Sequence, residues 1–285
     1  MALTTQVGDV KVTLVRETLQ GVSADGLYVD PEPAVFDANR DWLCPEFMDE
    51  SGELPLSIHA LVLESQGQII MVDTCIGNRP IDMIPQMSNL GSGFLDELAA
   101  AGYEPEDIDV VLCTHLHFDH VGWNTVLVDG QWVPTFPNAR YLFNRTEYEY
   151  WDSGAEGAAI TFGDAVRPVL EAGLADLVDS DHAVTDEIRL EPTPGHTPGH
   201  VSVGISSSGQ QAVITGDLVH HPVQFVAPEW VMTADDDPDR ASATRVAFRE
   251  RYGDSGILIF GTHFAGPSCG HLSHTDGRWT FTAHH

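Results

Sequence analysis

The sequence predicts an α+β fold in which two β-sheets pack face to face with helices on their outer faces. Three observations support this prediction: strand-like apolar runs fall into two groups, segments with helical spacing follow each group, and no linker, repeat or low-complexity segment divides the 285 residues. Large mixed domains can exceed roughly 200 residues, so we expect a single domain over residues 1–285. Other α+β arrangements share this periodicity and stay open at this point.

Strands are predicted where alternating or continuous apolar runs are bounded by turn residues. They cover residues 10–16, 58–65, 68–73, 109–113, 140–143, 187–191, 201–205, 211–215 and 256–260.

Helical spacing predicts helices over residues 92–101, around 145–151, over 162–172 and over 238–251. The last helix has the clearest boundaries. Asp237 can cap its N-terminus, Pro238 suits the first helical position and Gly253 lies near its end.

Residues 20–57 and 219–236 are predicted to be long irregular segments, and both are rich in aromatic side chains. Such segments in a compact domain are usually functional covers or interfaces. The aromatic side chains would form an apolar wall for an acyl chain or aromatic leaving group, or they would bury against a second subunit. The second alternative predicts a homodimer, and both stay open.

The charge balance excludes two classes of partner. The chain carries 43 acidic and 13 basic residues, a net charge of −30, and Lys11 is its single lysine. Such a surface repels phosphate, so neither nucleic acid nor an anionic membrane is an expected partner. We interpret the acidic residues as a solvated surface that keeps the protein soluble.

The sequence predicts a cytoplasmic protein. No window approaches the ~20 apolar residues that cross a bilayer, and no basic segment followed by an apolar one marks a secretory signal. The four cysteines, Cys44, Cys75, Cys113 and Cys269, lack the spacing of a disulfide framework or a thiolate metal site. This usage is typical of a reducing compartment.

The stretch THLHFDHVGW, residues 114–123, follows the apolar run IDVVLC. His115 and His117 would point to the same side of an extended chain, about 6.6 Å apart, and can converge on one ion. Asp119 and His120 lie where the chain must turn, so their side chains can reach a second position nearby. One short stretch can therefore begin two adjacent metal sites.

Three further motifs provide candidates for the missing ligands. TPGHTPGH contains His196, ITGDLVHH contains Asp217 and IFGTHF contains His263, and each motif follows or ends a strand-like run. Ligands at strand ends, held by glycine-rich turns, suit a rigid site. The four motifs together predict a metal centre.

The order HxHxDH, GHTPGH, TGD and GTH resembles the metallo-β-lactamase-fold superfamily of hydrolases. The resemblance covers about residues 55–265 and includes MVDTCIGN, in which Cys75 stands where the superfamily usually has Gly. It implies a four-layer αβ/βα sandwich that holds two metal ions. By matched motif, the first ion would be held by His115, His117 and His196, the second by Asp119, His120 and His263, and both by a bridging Asp217.

The chemistry that this resemblance implies is hydrolysis. Two metal ions ~3.5–4 Å apart can share a hydroxide at neutral pH and polarise the substrate's carbonyl or phosphoryl oxygen. Asp119 would orient the water or accept its proton. Zinc suits a site of histidines and aspartates best, and Mn, Fe or Co can also occupy it. A redox di-iron role is not expected, because related di-iron proteins typically carry Glu at the position of His117.

One segment resembles the methyl-parathion-hydrolase-like and N-acyl-homoserine-lactonase-like members of the superfamily. In TGDLVHHPVQF, residues 215–225, His220 stands three residues after Asp217, where the lactonases often place a Tyr that binds the substrate carbonyl. His220 would take that role, or it would make a structural hydrogen bond to a neighbouring loop.

The segment after the first motif looks like the same group. Residues 125–135 are predicted to form a β-hairpin with Asp129-Gly130 as its tight turn. Trp123, at its start, would line the pocket or belong to the core. Behind the ligands, Asp73 is expected to tie the loops together and His200 to steady the GHTPGH turn.

The sequence therefore predicts a dinuclear zinc hydrolase that opens a lactone or cleaves a neutral hydrophobic ester or phosphotriester, with a small molecule as its partner. A β-lactamase is one alternative, although true β-lactamases generally have Cys or Ser near the position of Asp217. A glyoxalase II-like thioester hydrolase is another, although few basic side chains are present to hold glutathione. From a different class, a metal-binding scaffold without turnover also stays open.

Overall fold

The computed structural model describes residues 3–155 and 160–285 and contains two large β-sheets. Its strands are β1 (Leu3–Val7), β2 (Val10–Val22), β3 (Leu54–Ser65), β4 (Gln68–Val72), β5 (Val110–Leu112), β6 (Thr125–Val128), β7 (Gln131–Pro134), β8 (Arg140–Asn144), β9 (Ala175–Val178), β10 (Ile188–Pro192), β11 (Val201–Ser207), β12 (Gln210–Ile214), β13 (Leu258–Phe260), β14 (Cys269–Thr275) and β15 (Arg278–Ala283). The first sheet has the order β1-β2-β3-β4-β5-β8-β9 and the second runs from β10 to β15 in sequence order.

The helices are α1 (Ala24–Leu27), α2 (Pro33–Leu43), α3 (Phe94–Ala100), α4 (Phe118–Val121), α5 (Arg145–Asp152), α6 (Phe162–Ala165), α7 (Arg167–Glu171) and α8 (Pro238–Tyr252). Short 3-10 turns cover Pro85–Met87, Pro105–Asp107, Gly122–Asn124, Gly216–Leu218 and Pro222–Phe225. The predicted cap of α8 is confirmed, since the Asp237 carboxylate accepts from the Arg240 amide. The helix predicted over 162–172 divides into α6 and α7, because Pro168 has no amide to continue the ladder.

Apolar side chains fill three layers and confirm the predicted four-layer αβ/βα sandwich. Leu61 of the first sheet and Ile214 of the second belong to the layer between the sheets. The outer face of the first sheet packs on α3 through Phe94. The outer face of the second packs on α2 and α8 through Phe36 and Phe248. Both sheets are therefore covered on both faces.

The predicted hairpin over 125–135 is present as β6 and β7, which pair with each other. Asp129 and Gly130 form its turn with φ angles of 51° and 79°. Both values are positive, as a two-residue turn with primed geometry requires.

The prediction that residues 20–57 are irregular was wrong for much of that segment. Strand β2 continues to Val22, α1 and α2 follow, and β3 begins at Leu54. The sequence holds a signal for α2, because Pro33 occupies its first turn and Phe36 and Leu43 lie seven residues apart on its buried face.

The aromatic side chains of these segments pack within the chain. Tyr28 and Phe36 contact Trp230, with ring centroids 5.3 Å and 5.2 Å apart, and Phe47 lies 5.8 Å from Phe281. All five are buried, so neither an open substrate wall nor a subunit interface describes these five side chains. The homodimer stays a prediction without their support.

The single domain over residues 1–285 also stays a prediction, and residues 1–2 and 156–159 lie outside the described ranges. Within 3–155 and 160–285, no helix has the length and apolarity that a membrane crossing requires.

Candidate metal centre

Parallel strand pairing brings the candidate ligands to one edge of the sandwich. Strands β4, β5 and β8 run parallel in the first sheet, and β12 and β13 run parallel in the second. The stretch from His115 to His120 follows β5, Asp217 follows β12 and His263 follows β13. His196 lies in the turn between β10 and β11. The site therefore joins loops from both sheets.

The structure brings together all seven residues that the sequence analysis singled out as ligands. They form two groups, and in each group one ligand atom per residue lies within 4.8 Å of the others. The first group is His115, His117, His196 and Asp217, and the second is Asp119, His120, Asp217 and His263.

Asp217 is common to both groups and lies between them. Its Oδ2 lies 3.2 Å from His120 Nε2 and 3.5 Å from His196 Nε2. Its Oδ1 lies 3.0 Å from His263 Nε2. One carboxylate therefore faces imidazoles of both groups, which is the arrangement of a bridging ligand.

Buried polar atoms that lack a hydrogen-bond partner indicate whether the seven candidate ligands suit metal ions. Among the described residues, His115 Nε2, His120 Nε2 and Asp217 Oδ1 are such atoms, whereas buried polar atoms are normally hydrogen-bonded. All three point into the two groups. Imidazole nitrogen and carboxylate oxygen are donors that zinc and similar divalent cations accept, so the residues fit a pair of divalent ions.

The protonation states of His115, His117 and Asp217 suit metal ligands, whereas at His120 and His263 the charge of Asp217 outweighs burial and raises the pKa. Burial, followed by the neighbouring imidazoles, lowers the pKa of His115 and His117 well below its usual value. Burial opposes the ionisation of Asp217, but nearby histidines outweigh it and hold its pKa well below the usual range. Neutral imidazoles and an ionised carboxylate are the forms that bind cations.

Two supporting residues lie where they were expected. Asp73 accepts from the Thr114 amide at 2.7 Å and pairs with His120 Nδ1 at 2.9 Å. His200 Nε2 accepts from the Asp217 amide at 2.9 Å. Asp73 thus orients a histidine of the second group, and His200 holds the backbone of the shared carboxylate.

Glu147 on α5 belongs to no motif and was not predicted from the sequence. Its buried carboxylate accepts from the amides of Leu116 and Gly199, at 3.2 Å and 2.9 Å, and from Trp151 Nε1 at 2.6 Å. It therefore joins the loop of the first motif to the loop of His196. Burial raises the pKa of this carboxyl, and the accepted hydrogen bonds act in the opposite direction.

Glu17 was also missed, and it fixes the turn beside α4. Its carboxylate accepts from the Ile76 amide and from Trp123 Nε1, both at 2.7 Å. Trp123 is buried and stacks on Phe94 with ring centroids 5.8 Å apart. Of the two alternatives for Trp123, the structure therefore favours the core.

His220 lies against the shared carboxylate, with its Nε2 3.2 Å from Asp217 Oδ2. The ring is buried, and neither nitrogen has a hydrogen-bond partner with suitable geometry in the part of the chain that the structure describes. The alternative of a structural hydrogen bond to a neighbouring loop is therefore not observed. Asp119 has the most exposed side chain of the seven candidate ligands, at 16%, so the centre opens to solvent on its side.

Comparison with known proteins identifies relatives of this chain. The model of the metallo-beta-lactamase superfamily matches residues 54–263. An N-acyl homoserine lactonase of a Bacillus species is 27% identical over 174 residues, which are 56% of this chain and 63% of the relative. The match thus spans less than two thirds of that relative's length.

Two solved structures share the fold. The hydrolase AbOPH of the beta lactamase superfamily is 27% identical, with a TM-score of 0.82 over 100% of this chain and 97% of the other. AidC, a dizinc quorum-quenching lactonase in complex with a hexanoyl homoserine product, is 20% identical, with a TM-score of 0.79 and the same coverage. The likeness to AidC concerns the fold alone.

Proposed function

This chain belongs to the metallo-beta-lactamase superfamily, and we propose that it is a dinuclear-metal hydrolase that opens a lactone ring. Neutral hydrophobic esters and phosphotriesters are the further substrates that we propose. The observation that carries the proposal is the position of Asp217, whose two oxygens face imidazoles of both ligand groups.

The proposed ligands are the seven residues of the two groups, with zinc as the expected metal and Mn, Fe or Co as alternatives. When bound, two such ions would activate water as a nucleophile at neutral pH and polarise the carbonyl oxygen of the substrate. The remaining steps require groups of the chain itself.

We assign to Asp119 the role of accepting the proton from the attacking water. Its carboxylate lies 3.7 Å from His120 Nε2 and 3.6 Å from His263 Nε2 on the exposed side of the centre. It can therefore meet water and substrate while it stays within the second group.

We assign the orientation of the substrate to His220. Its ring lies beside the carboxylate of Asp217. Among the described residues, neither ring nitrogen has a hydrogen-bond partner with suitable geometry. A ring N–H in this position can donate to the carbonyl oxygen of the substrate as negative charge develops there.

A lactone is the preferred substrate because the curated relative in the comparison is an N-acyl homoserine lactonase. The solved lactonase AidC, with its bound acyl homoserine product, has the same fold. The net charge of −30 repels anionic substrates, which favours neutral esters over phosphorylated ones.

The test is a pH-indicator hydrolysis screen on protein of known metal content. The panel holds acyl lactones, aryl esters, a neutral phosphotriester, a β-lactam and a glutathione thioester. We expect lactones to be hydrolysed fastest. Lactone hydrolysis at the background rate beside rapid β-lactam or thioester cleavage would contradict the substrate. Two bound metals without turnover of any compound would indicate a scaffold.

Substitution of the shared carboxylate tests the bridge. We expect Asp217→Ala to lose about one metal equivalent. We also expect its activity to fall by more than the roughly 10- to 100-fold that is typical when a residue outside the metal's direct ligands is replaced. Asp239→Ala, at an exposed acidic residue in the first turn of α8, is the matched control and should behave as wild type. A variant of Asp217 that keeps both metals contradicts the bridging role.

A further inference from the structure

We propose that Asp235 is a positioning residue that fixes the tautomer of His196 and so aims its Nε2 at the first ligand group. This inference rests on the proposed metal centre and names a residue on which that centre depends.

Asp235 contacts the edge of the His196 ring that points away from the candidate metal centre. Its Oδ1 lies 3.0 Å from His196 Nδ1. The side chains of both residues are at most 1% exposed. The other nitrogen of the ring, Nε2, lies 3.0 Å from His117 Nδ1 and 3.5 Å from Asp217 Oδ2. Asp235 and the ligand group therefore hold opposite nitrogens of one imidazole.

The carboxylate of Asp235 is itself fixed on its other oxygen. Oδ2 accepts from Arg245 Nη2 at 3.1 Å and from the Met232 amide at 3.0 Å. Arg245 is buried in α8 and also donates to the carbonyls of Pro228 and Trp230, both at 2.9 Å. A buried carboxylate needs such a partner, because an unpaired charge is costly in the interior.

Helix α8 and the residues just before it also support the backbone of the His196 loop. The Asp236 amide donates to the His196 carbonyl at 3.0 Å, and Thr244 Oγ1 donates to the Pro194 carbonyl at 2.7 Å. A side chain at Gly195 would lie 2.3 Å from the Ala241 amide nitrogen. The loop thus rests directly on the helix, and Asp235 completes this support at the imidazole.

These contacts define the tautomer. A carboxylate only accepts, so His196 must carry its proton on Nδ1 and leave a lone pair on Nε2. On its other side the Asp235 carboxylate faces the buried Arg245 guanidinium at 3.1 Å and accepts from the Met232 amide, as an ionised acceptor would.

The variant Asp235→Asn separates this role from a merely structural one. Its amide oxygen would keep the two donors from Arg245 and Met232, and its NH2 group would then face His196. That contact favours the proton on Nε2 and blocks the ligand atom. Asp235→Ala removes the acceptor without imposing the wrong tautomer. We therefore expect Asn, although closer in shape, to impair metal binding more than Ala.

The first experiment titrates metal-free protein with Co²⁺ and follows its visible absorption. Wild type is expected to bind two equivalents. Asp235→Asn should bind one of them about 10- to 100-fold more weakly, with the second unchanged and with wild-type circular dichroism. Asp239→Asn is the matched control, because this acidic residue is exposed in the first turn of α8. It should bind as wild type.

The second experiment reads the tautomer in the metal-free protein by long-range ¹H–¹⁵N spectra of ¹⁵N-histidine samples, with His196 assigned from the spectrum of His196→Gln. Wild type should show the proton on Nδ1, and Asp235→Asn should show it on Nε2. An unchanged tautomer, or weaker Co²⁺ binding in Asp235→Ala than in Asp235→Asn, overturns the inference. Failure of the substrate panel with these metal and tautomer effects intact would overturn the proposed reaction alone.

Discussion

At the scale of single residues, two adjacent histidines show how environment separates a candidate functional residue from a structural one. His220 has no ring partner of suitable geometry in the described part of the chain and faces Asp217. His221 is satisfied on both nitrogens: Nε2 donates to the Phe47 carbonyl at 2.6 Å, and Nδ1 accepts from the Val223 amide at 3.2 Å. His221 therefore ties the segment after Asp217 to the segment after α2.

His221 predicts a pH dependence of stability. Burial lowers its pKa from 6.5 to about 4, so the unfolded chain binds the proton first as the pH falls. The stability that the neutral ring provides is complete above pH 6.5 and is lost between about pH 6.5 and about pH 4. The loss amounts to about 3 kcal/mol.

His221→Gln keeps a donor but does not titrate. We expect its free energy of unfolding, measured in urea with a chelator present, to fall less than that of wild type between pH 7 and pH 4. At pH 7 it should be about 1 kcal/mol below wild type, because one hydrogen bond is lost. His274→Gln, at an exposed histidine, is the control. Parallel pH profiles for wild type and His221→Gln would contradict the assignment.

Functional residues can be predicted from the sequence when they belong to a short motif with characteristic spacing. The seven candidate ligands belong to short motifs at strand ends, which is why all of them could be named. Glu17, Glu147 and Asp235 have no such spacing, and in a chain with 43 acidic residues they cannot be told from solvated ones. Their roles depend on contacts between distant segments.

At the scale of elements, the turn after β4 and the helix α4 form one unit. The Thr74 amide donates to the His120 carbonyl at 2.8 Å, and the Gly122 amide donates to the Cys75 carbonyl at 2.7 Å. Cys75 adopts a φ of 53°, where glycine is usual. The close approach of these two segments therefore holds His120 in position.

A side chain at Gly122 would force the turn after β4 away from α4 and lower the stability of the protein. A Cβ at this position would lie 1.8 Å from the Ile76 carbonyl oxygen, which is backbone and cannot turn away. We expect Gly122→Ala to lower the free energy of unfolding by about 3 kcal/mol or more and to weaken metal binding by the group that contains His120. Urea denaturation and metal quantification measure these effects.

Gly163 in α6 provides the control for that experiment. It is exposed and helical, and a Cβ there would meet no atom within 4 Å. Gly163→Ala should be neutral or stabilising by up to about 1 kcal/mol. Equal effects at Gly122 and Gly163 would show that the contact with Ile76 is unimportant.

Elements with strong periodicity were predicted well, and elements that depend on pairing were not. Strands β3, β4 and β11 lie on apolar runs and were found. In the described part of the chain, β1 and β15 lie at sheet edges and β14 lies beside β15, and all three strands carry many polar residues. The hydrogen bonds that define these strands come from neighbours that are not visible in a local window.

At the scale of the whole molecule, the net charge of −30 acts against compactness. Folding brings the carboxylates closer together, and salt screens their repulsion. We expect the melting temperature of metal-free protein to rise by roughly 3 °C or more between about 0.05 M and about 1 M NaCl, equivalent to about 1 kcal/mol.

If salt acts only by screening the repulsion between carboxylates, the melting temperature should rise equally in KCl and in NaCl. The potassium salt is therefore the control. A melting temperature that does not depend on salt would show that the acidic residues are too far apart to destabilise the fold.

The division of the candidate ligands between the two sheets has a consequence for biosynthesis. The ribosome makes the stretch from His115 to His120 first, and it must add more than 140 residues before His263 exists. The early stretch alone offers an ion only part of its coordination. Selective capture of the proposed pair of ions would therefore wait until the second sheet has formed, and a prematurely terminated chain would not retain them.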